Sequence, residues 1–188
     1  MNAIELLLQR NSAPKLCDPA PSDAQLQTMF AAACRAPDHA WLRPYRFLVV
    51  NGDARHKLGE LFAAAALRRQ PGLDDAALEK FRRQPLRAPV VIVVYAQVVP
   101  HDKVPAIEQK LTVGCAAQGI LLAAEAMGFA GIWRTGDNAY DEMVKGGLGL
   151  AATEEIIGFL YLGTREGGRK LLPEIKTTHF VKHWGTGE

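Results

Sequence analysis

The chain is poor in cysteine. Cys17, Cys34 and Cys115 are its only three, an odd number with no Cys-x-x-Cys among them. That excludes a disulfide framework and a four-cysteine zinc site, and it predicts a reducing compartment with Cys34 and Cys115 buried in apolar helices. The chain also lacks a charge of one sign: 22 Lys and Arg face 20 Asp and Glu, a formal net charge of +2, and the basic residues are scattered apart from short clusters. A nucleic-acid footprint is a concentrated basic face, so this balance argues against nucleic acid and suits a single anionic small molecule. Long apolar runs free of charge are missing as well. The opening MNAIELLLQRN carries Glu5 inside a short apolar stretch and reads as neither a signal peptide nor a span. The apolar segment 106–128 carries Glu108, Lys110, Gln118 and Glu125, so it reads as a buried helix, and the protein as cytoplasmic rather than membrane-bound. Finally, the KGGLG run at 145–149 has no strand immediately before it and no Gly-Lys-Ser/Thr after it, which leaves helix capping in place of a phosphate loop.

What is present suffices for a core. At 188 residues and 48% hydrophobic, the chain predicts one domain over 1–188. Helical spacing over 3–9, with Ile4, Leu7 and Leu8, ends at Asn11, Ser12 and Pro14. Ser22 and Gln25 form a capping box for a helix that runs to about Arg35, where Pro37 forces it to stop. Helices are also predicted over 54–69, 73–84 and 141–145. The charged 73–84 segment and the helix before it could form a lid or a plain surface hairpin. Strands are predicted at 45–50, 89–95, 129–134 and 156–162, the first as a buried strand. The run PVVIVVY at 89–95 lacks polar alternation, so both its faces should be covered at the centre of a sheet. Small residues Cys115, Gly119 and Ala123 recur at i, i+4 and i+8, suited to close packing against a helix of a second copy or of the same chain.

Chemistry concentrates in three stretches. Residues 35–47, RAPDHAWLRPYRF, hold Arg35, Asp38, His39, Arg43 and Arg46 among prolines and aromatics. A charged helix C-terminus would account for some of this, because Arg and His there meet the helix dipole favourably. Arg10, Ser12 and Lys15 follow the first helix, a fork, a hydroxyl and an ammonium that suit a phosphate, although a capped helix end has the same composition. Trp133 and Arg134 end a strand beside the Thr135-Gly136-Asp137 turn and offer an aromatic wall and a cation to one ligand. His179 and His183 would share a helix face at metal-pair spacing, but no third ligand is near, so no metal is assigned.

Arg10-Asn11-Ser12, Arg35-Ala36-Pro37-Asp38-His39 and Gly131-Ile132-Trp133-Arg134-Thr135-Gly136 together resemble the small, single-domain bacterial nitroreductases that bind flavin mononucleotide (FMN). The resemblance extends through PYRF, RAPVVIVV, the Gly-Cys-Ala segment at Gly114 and GFLYLGT. It implies an α+β fold with a central mixed, mostly antiparallel sheet enclosed by helices, and a homodimer with flavin sites at the interface. The long helix would form much of that interface, and the C-terminal tail would wrap the partner subunit. The implied cofactor contacts are Arg10, Asn11 and Ser12 at the phosphate and ribityl, Arg35 and His39 from the partner subunit, and Trp133, Arg134 and Thr135. Such proteins show a second arginine where this chain has Asn11 and often an arginine where it has Lys15, which implies weaker phosphate binding. A basic pair that larger relatives use near the C-terminus is not placed among Arg165, Arg169, Lys170 and Lys176.

The energetics agree with a flavin. Two or three phosphate contacts at about 1.5–3 kcal/mol each fall short of the roughly 8 kcal/mol of micromolar binding. The ring must supply the rest by burial, at about 25 cal/mol per Å², in a slot lined by Pro37 and Trp133. The resemblance implies hydride transfer from NADH or NADPH through flavin to nitroaromatic, quinone or other electron-poor acceptors, by a ping-pong mechanism with no catalytic side chain. Reductive dehalogenation or enone reduction on the same scaffold, and a non-catalytic flavin-binding or storage role, are the alternatives.

Overall fold

From the N-terminus the elements run α1 (Ala3–Gln9), β1 (Leu16–Cys17), α2 (Asp23–Ala33), β2 (Tyr45–Asn51), α3 (Ala54–Arg69), α4 (Asp75–Arg82), β3 (Val90–Gln97), α5 (Ala106–Ala126), β4 (Ala130–Arg134), α6 (Glu142–Gly147) and β5 (Glu154–Arg165). They come from a computed structural model of the chain, which describes residues 2–185. The strand richest in β-branched residues is central, as its pattern predicts: β3 lies between β2 and β5, pairing Val93 with Leu48 on one side and with Phe159 on the other. Val91 and Val93 enter one core with Leu58, Phe62 and Phe159. Val90, Ile92 and Val94 enter the opposite core with Leu26, Met29, Val113 and Ile120. Two apolar faces are therefore needed, and no polar alternation could survive in this strand.

The expected α+β fold with a mostly antiparallel sheet is present; among the described residues the sheet has five strands and every pairing is antiparallel, so its mixed character alone is not found. The crossover through α5 makes β3 and β4 point the same way, but β5 is inserted between them, so no parallel pair forms among the described residues. The 45–50 run is a strand but not a buried one. As β2 it is an edge with a single neighbour, and of its seven residues only Val50 is buried.

Local chemistry explains the helix ends. Ser22 Oγ accepts from the Gln25 N–H at 3.4 Å while the Gln25 side chain accepts from the Ser22 N–H at 2.9 Å, the predicted capping box. α2 then packs on α5 at Gly119, where an added Cβ would stand 3.2 Å from Ala33 Cα. The small-residue stripe thus serves close packing within the chain at this position.

α5 is buried on one face only, contrary to expectation. Ile107, Leu111 and Cys115 lie exposed on its outward side, with no covering layer over that row among the described residues. Cys34 is exposed as well, so the buried-thiol expectation fails for both Cys34 and Cys115, and Cys17 is also exposed. α1 buries none of its residues, and Ile4, Leu7 and Leu8 face outward. Beyond β5 the segment 166–185 lies exposed, with Leu171, Ile175, Phe180 and Trp184 uncovered. Its one turn of 3-10 helix, Thr177–His179, stops at Phe180, so His179 and His183 share no helix face. No helix among the described residues is long and apolar enough to cross a membrane.

Candidate functional site

A cavity of about 450 Å³ opens between the end of β4 and the α3–α4 hairpin. Phe62, Phe81, Ile132, Phe159 and Tyr161 form its apolar wall, and Trp133 borders it with its indole packed into the opposite core; Arg69, Gln84, Arg87, Arg134, Thr135, Gly136, Asp137 and Asn138 form its polar rim. The hairpin that the sequence left open as lid or surface feature is one wall of this cavity. Gly59 makes that wall possible: a Cβ there would stand 2.2 Å from the Arg82 carbonyl oxygen, so only glycine lets α3 and α4 approach so closely. Phe62 meets Phe159 edge to face at 5.2 Å between centroids, in the geometry aromatic quadrupoles favour.

Trp133 and Arg134 alternate across β4. The indole Nε1 of Trp133 donates to the Ile157 carbonyl at 3.3 Å, lying in a slot that exists because residue 158 is glycine; a Cβ there would come within 2.1 Å of Nε1. Arg134 carries its guanidinium over the Tyr161 ring at 5.7 Å, and its Nε is buried without a hydrogen-bond partner among the described residues. Burial pushes the Tyr161 phenol up to about 12, against the pull of Arg134 and Arg87, so the phenol stays neutral at any working pH.

The rim is held by one buried carboxylate. Asp141 caps α6 through the N–H groups of Met143 and Val144 and accepts from Arg69 at 2.6 Å and Arg68 at 3.1 Å. Burial works against its ionised form, but the donors from Arg69, Met143 and Arg68 outweigh burial and hold its carboxyl below the ordinary range. A depressed folded pKa contributes stability that is present above the unfolded value of about 3.9 and is lost as pH falls through the folded value. Urea midpoints should therefore drop from about pH 4 downward, and Asp141→Asn should flatten that acid limb while costing about 2–3 kcal/mol at neutral pH.

Arg35 lies elsewhere, in a groove of about 380 Å³ with Cys34, Pro37, Trp41, Arg43 and Tyr45. The loop there is strained, with positive φ at Ala40, Trp41 and Arg43, none of them glycine. It is pinned to α5 twice: Thr112 Oγ1 donates to the Pro37 carbonyl at 2.8 Å, and His39 Nδ1 meets Glu108 Oε2 at 2.8 Å. Asp38 accepts from the Arg43 N–H at 2.7 Å, and the Arg46 guanidinium donates to the Arg43 carbonyl at 2.8 Å, so these two shape the loop.

Arg10, Asn11 and Ser12 follow α1 and are laid beside β4 by the Ala13 N–H donating to the Gly131 carbonyl at 3.1 Å. Asn11 Oδ1 is buried without a hydrogen-bond partner among the described residues. Arg165, one of the four basic residues among which the C-terminal pair was not placed, donates to the Asn11 carbonyl at 3.2 Å. It sits 3.8 Å from the buried Glu125, which Arg169 also engages.

Trp133, Arg134 and Thr135 thus share one cavity, the Arg10–Asn11–Ser12 turn borders the same strand, and Arg35 and His39 stand apart. A slot between Pro37 and Trp133 does not form within one chain, since the two line different concavities. Arg69, Gln84, Arg87 and Asn138 were missed because Arg69 lies in α3, Gln84 and Arg87 in the connection after α4 and Asn138 in the turn after β4, at no recurring spacing. Gly59 did leave a signal: glycine inside a helix costs about 1 kcal/mol relative to alanine and implies a packing reason.

The Nitroreductase family model matches residues 7–164. The Escherichia coli (strain K12) protein named "Putative NAD(P)H nitroreductase YdjA" is 42% identical over 164 residues, 87% of this chain and 88% of its own length. A Haemophilus influenzae protein described as an NAD(P)H nitroreductase in the same terms is 37% identical over 97% of this chain and 100% of its own. Among solved structures, a nitroreductase-like family protein from Bacillus cereus superposes with a TM-score of 0.83 at 21% identity, covering 99% of this chain and 97% of the other. The FMN and NADPH-dependent nitroreductase NfnB of sphigopyxis sp. strain HMH superposes with a TM-score of 0.76 at 19% identity, covering 99% and 100%. The family model spans most of the chain and the sequence relatives match it nearly end to end, so the chain belongs to the Nitroreductase family.

Proposed function

We propose that the chain is an FMN-dependent oxidoreductase, passing hydride from NADH or NADPH to nitroaromatic, quinone or other electron-poor acceptors in ping-pong order, and that it works as a cytoplasmic homodimer. The observation that carries this reading is the aromatic cavity with Arg134 at its rim, its Nε buried and unpartnered. A buried donor with no acceptor costs free energy unless a ligand supplies one, and a flat ring with acceptor atoms at its edge, able to take up negative charge, fits both the wall and the cation. The residues present fit FMN: the orphaned Asn11 Oδ1 and Arg134 Nε border the two ends of β4, with Arg10, Ser12 and Arg165 suited to its phosphate. Trp133 and Thr135 would hold the ring, and Arg35 and His39 would come from the partner subunit. A bound flavin would supply hydride acceptance and donation, a chemistry no side chain here provides. The chain's own residues bind and orient the ring, exclude water with Phe62, Phe81 and Phe159, and set a positive charge beside it. The names of the sequence relatives support a nicotinamide reductant.

The purified protein should be yellow, bleach anaerobically with NADH or NADPH, and regain colour when a nitroaromatic is added. A yellow protein that does not bleach would mean a storage role, and a colourless protein that takes up no FMN would defeat the reading. Bleaching reversed only by halogenated aromatics or enones would assign those acceptors instead.

The dimer rests on the uncovered apolar row of α5, continuous in character with Ile4, Leu7 and Leu8 of α1 and with the exposed tail. Exposed apolar area on this scale marks an interaction surface. Leu111→Asp should give a monomer by sedimentation at micromolar concentration and weaken FMN binding more than tenfold, because Arg35 and His39 of the second copy are then removed. A dimeric, yellow Leu111→Asp protein would place the interface elsewhere.

A further inference from the structure

The cavity rim contains a hydrogen-bond chain whose polarity is forced from one end. Asp141, its side chain almost wholly buried, accepts from Arg69 Nη1 at 2.6 Å. Arg69 Nη2 in turn donates to Asn138 Oδ1 at 3.1 Å. A guanidinium has donors and no acceptor, so the Asn138 atom facing it must be the oxygen. The Asn138 Nδ2 is then turned to Gln84, whose Oε1 accepts at 3.2 Å. Asn138 is buried, and its amide cannot rotate without setting NH2 against the guanidinium. Gln84 therefore spends its oxygen inside the protein. Its Nε2 has no acceptor among the described residues, and Gln84 lines the cavity.

We propose that Asp141, Arg69 and Asn138 are positioning residues that fix which end of the Gln84 amide faces the cavity, making Gln84 Nε2 a donor to an oxygen or nitrogen acceptor of the bound ligand. This rests on the flavin reading of the cavity. The acceptor atom belongs either to the flavin ring edge or to a nitro or carbonyl oxygen of the molecule being reduced, since both classes present the same chemistry. Amide side chains are ambiguous by themselves, and here an ion pair two residues away removes the ambiguity.

The decisive variant is Asn138→Asp. The introduced carboxylate still accepts from Arg69 but has no donor for Gln84, so the Gln84 amide must flip, donate to that carboxylate and turn its oxygen to the ligand. In the FMN-free protein, proton exchange of the Gln84 side-chain NH2, followed by 15N NMR, should be fast in the wild type and slowed in Asn138→Asp. Unchanged exchange overturns the relay, and this reading holds whether or not FMN binds, so it separates the relay from the flavin assignment. In the loaded protein, Asn138→Asp should weaken the site about tenfold, the effect of exposing a bound acceptor to an acceptor. The loss appears in the FMN dissociation constant if the flavin is the partner. It appears in the KM for a nitroaromatic or quinone, at unchanged FMN affinity, if the reducible molecule is. Loss in neither quantity overturns the proposal. In a Gln84→Met background the same substitution should have no effect on the affected quantity; an equal loss there would show that it acts by its charge alone, and would overturn the relay. If Asn138→Asp does not fold, Gln84→Glu carries the same expectation for the FMN dissociation constant and the KM, because it keeps the bond from Asn138 and turns a carboxylate oxygen to the cavity; loss in neither overturns the proposal.

Discussion

Gly59→Ala should lower the melting temperature by about 4–8 °C, although alanine is the better helix former. The two effects oppose each other. Replacing glycine within α3 gains about 1 kcal/mol of helix propensity. Against it, the new Cβ would lie 2.2 Å from the Arg82 carbonyl oxygen and 3.0 Å from its carbon, both backbone atoms that no rotamer change can move aside. Overpacking a close contact costs about 1–3 kcal/mol and sometimes more, and a backbone clash belongs at the upper end. A net loss of about 2 kcal/mol follows, and a domain of this size loses about 2–4 °C per kcal/mol. The separation of α3 from α4 also shifts Phe81, so FMN affinity should fall along with stability. A melting temperature raised by the substitution would show that the helices do not approach as closely as this packing requires.

Arg134→Ala should weaken FMN binding by about tenfold to a hundredfold and lower the midpoint potential of the bound flavin. A charge-assisted hydrogen bond contributes about 1.5–3 kcal/mol, which sets the range of affinity. The potential falls because a fixed cation in a water-poor site favours the more negative redox state, and alanine removes it. The same substitution should leave the FMN-free protein equally or more stable. Among the described residues Arg134 Nε is buried without an acceptor and the guanidinium gains only its contact with the Tyr161 ring, so removing the group relieves a desolvation cost. Opposite signs in the two forms distinguish a ligand-binding arginine from a structural one. Equal affinity and potential in Arg134→Ala and the wild type would end that role.

Legibility in the sequence varied with how local the determinant was. The capping box at Ser22 and Gln25, the helix at Ala54–Arg69 and the central strand at 89–95 follow from patterns spanning a few residues, and the structure has all three. The motifs around Arg10, Arg35 and Trp133 were also readable, because clustered charge beside proline and glycine stands out against an apolar chain. The depth of burial was not. β2 and α5 carry enough apolar residues to read as buried, yet one is an edge strand and the other leaves a face uncovered. Composition records what an element can bury and says nothing of how many neighbours it finds.

The sequence by itself determined the elements, the family resemblance and the stretches that hold chemistry, because each depends on spacing within a segment. Tertiary structure alone decided that Arg69, Gln84, Arg87 and Asn138 share a cavity with Trp133 and Arg134, and that Arg35 and His39 do not. It also decided the direction of every bond along that rim, from Asp141 to Gln84. The physical reason is that a hydrogen bond's polarity and a cavity's lining are properties of groups brought together by folding, across distances along the chain that no local pattern encodes.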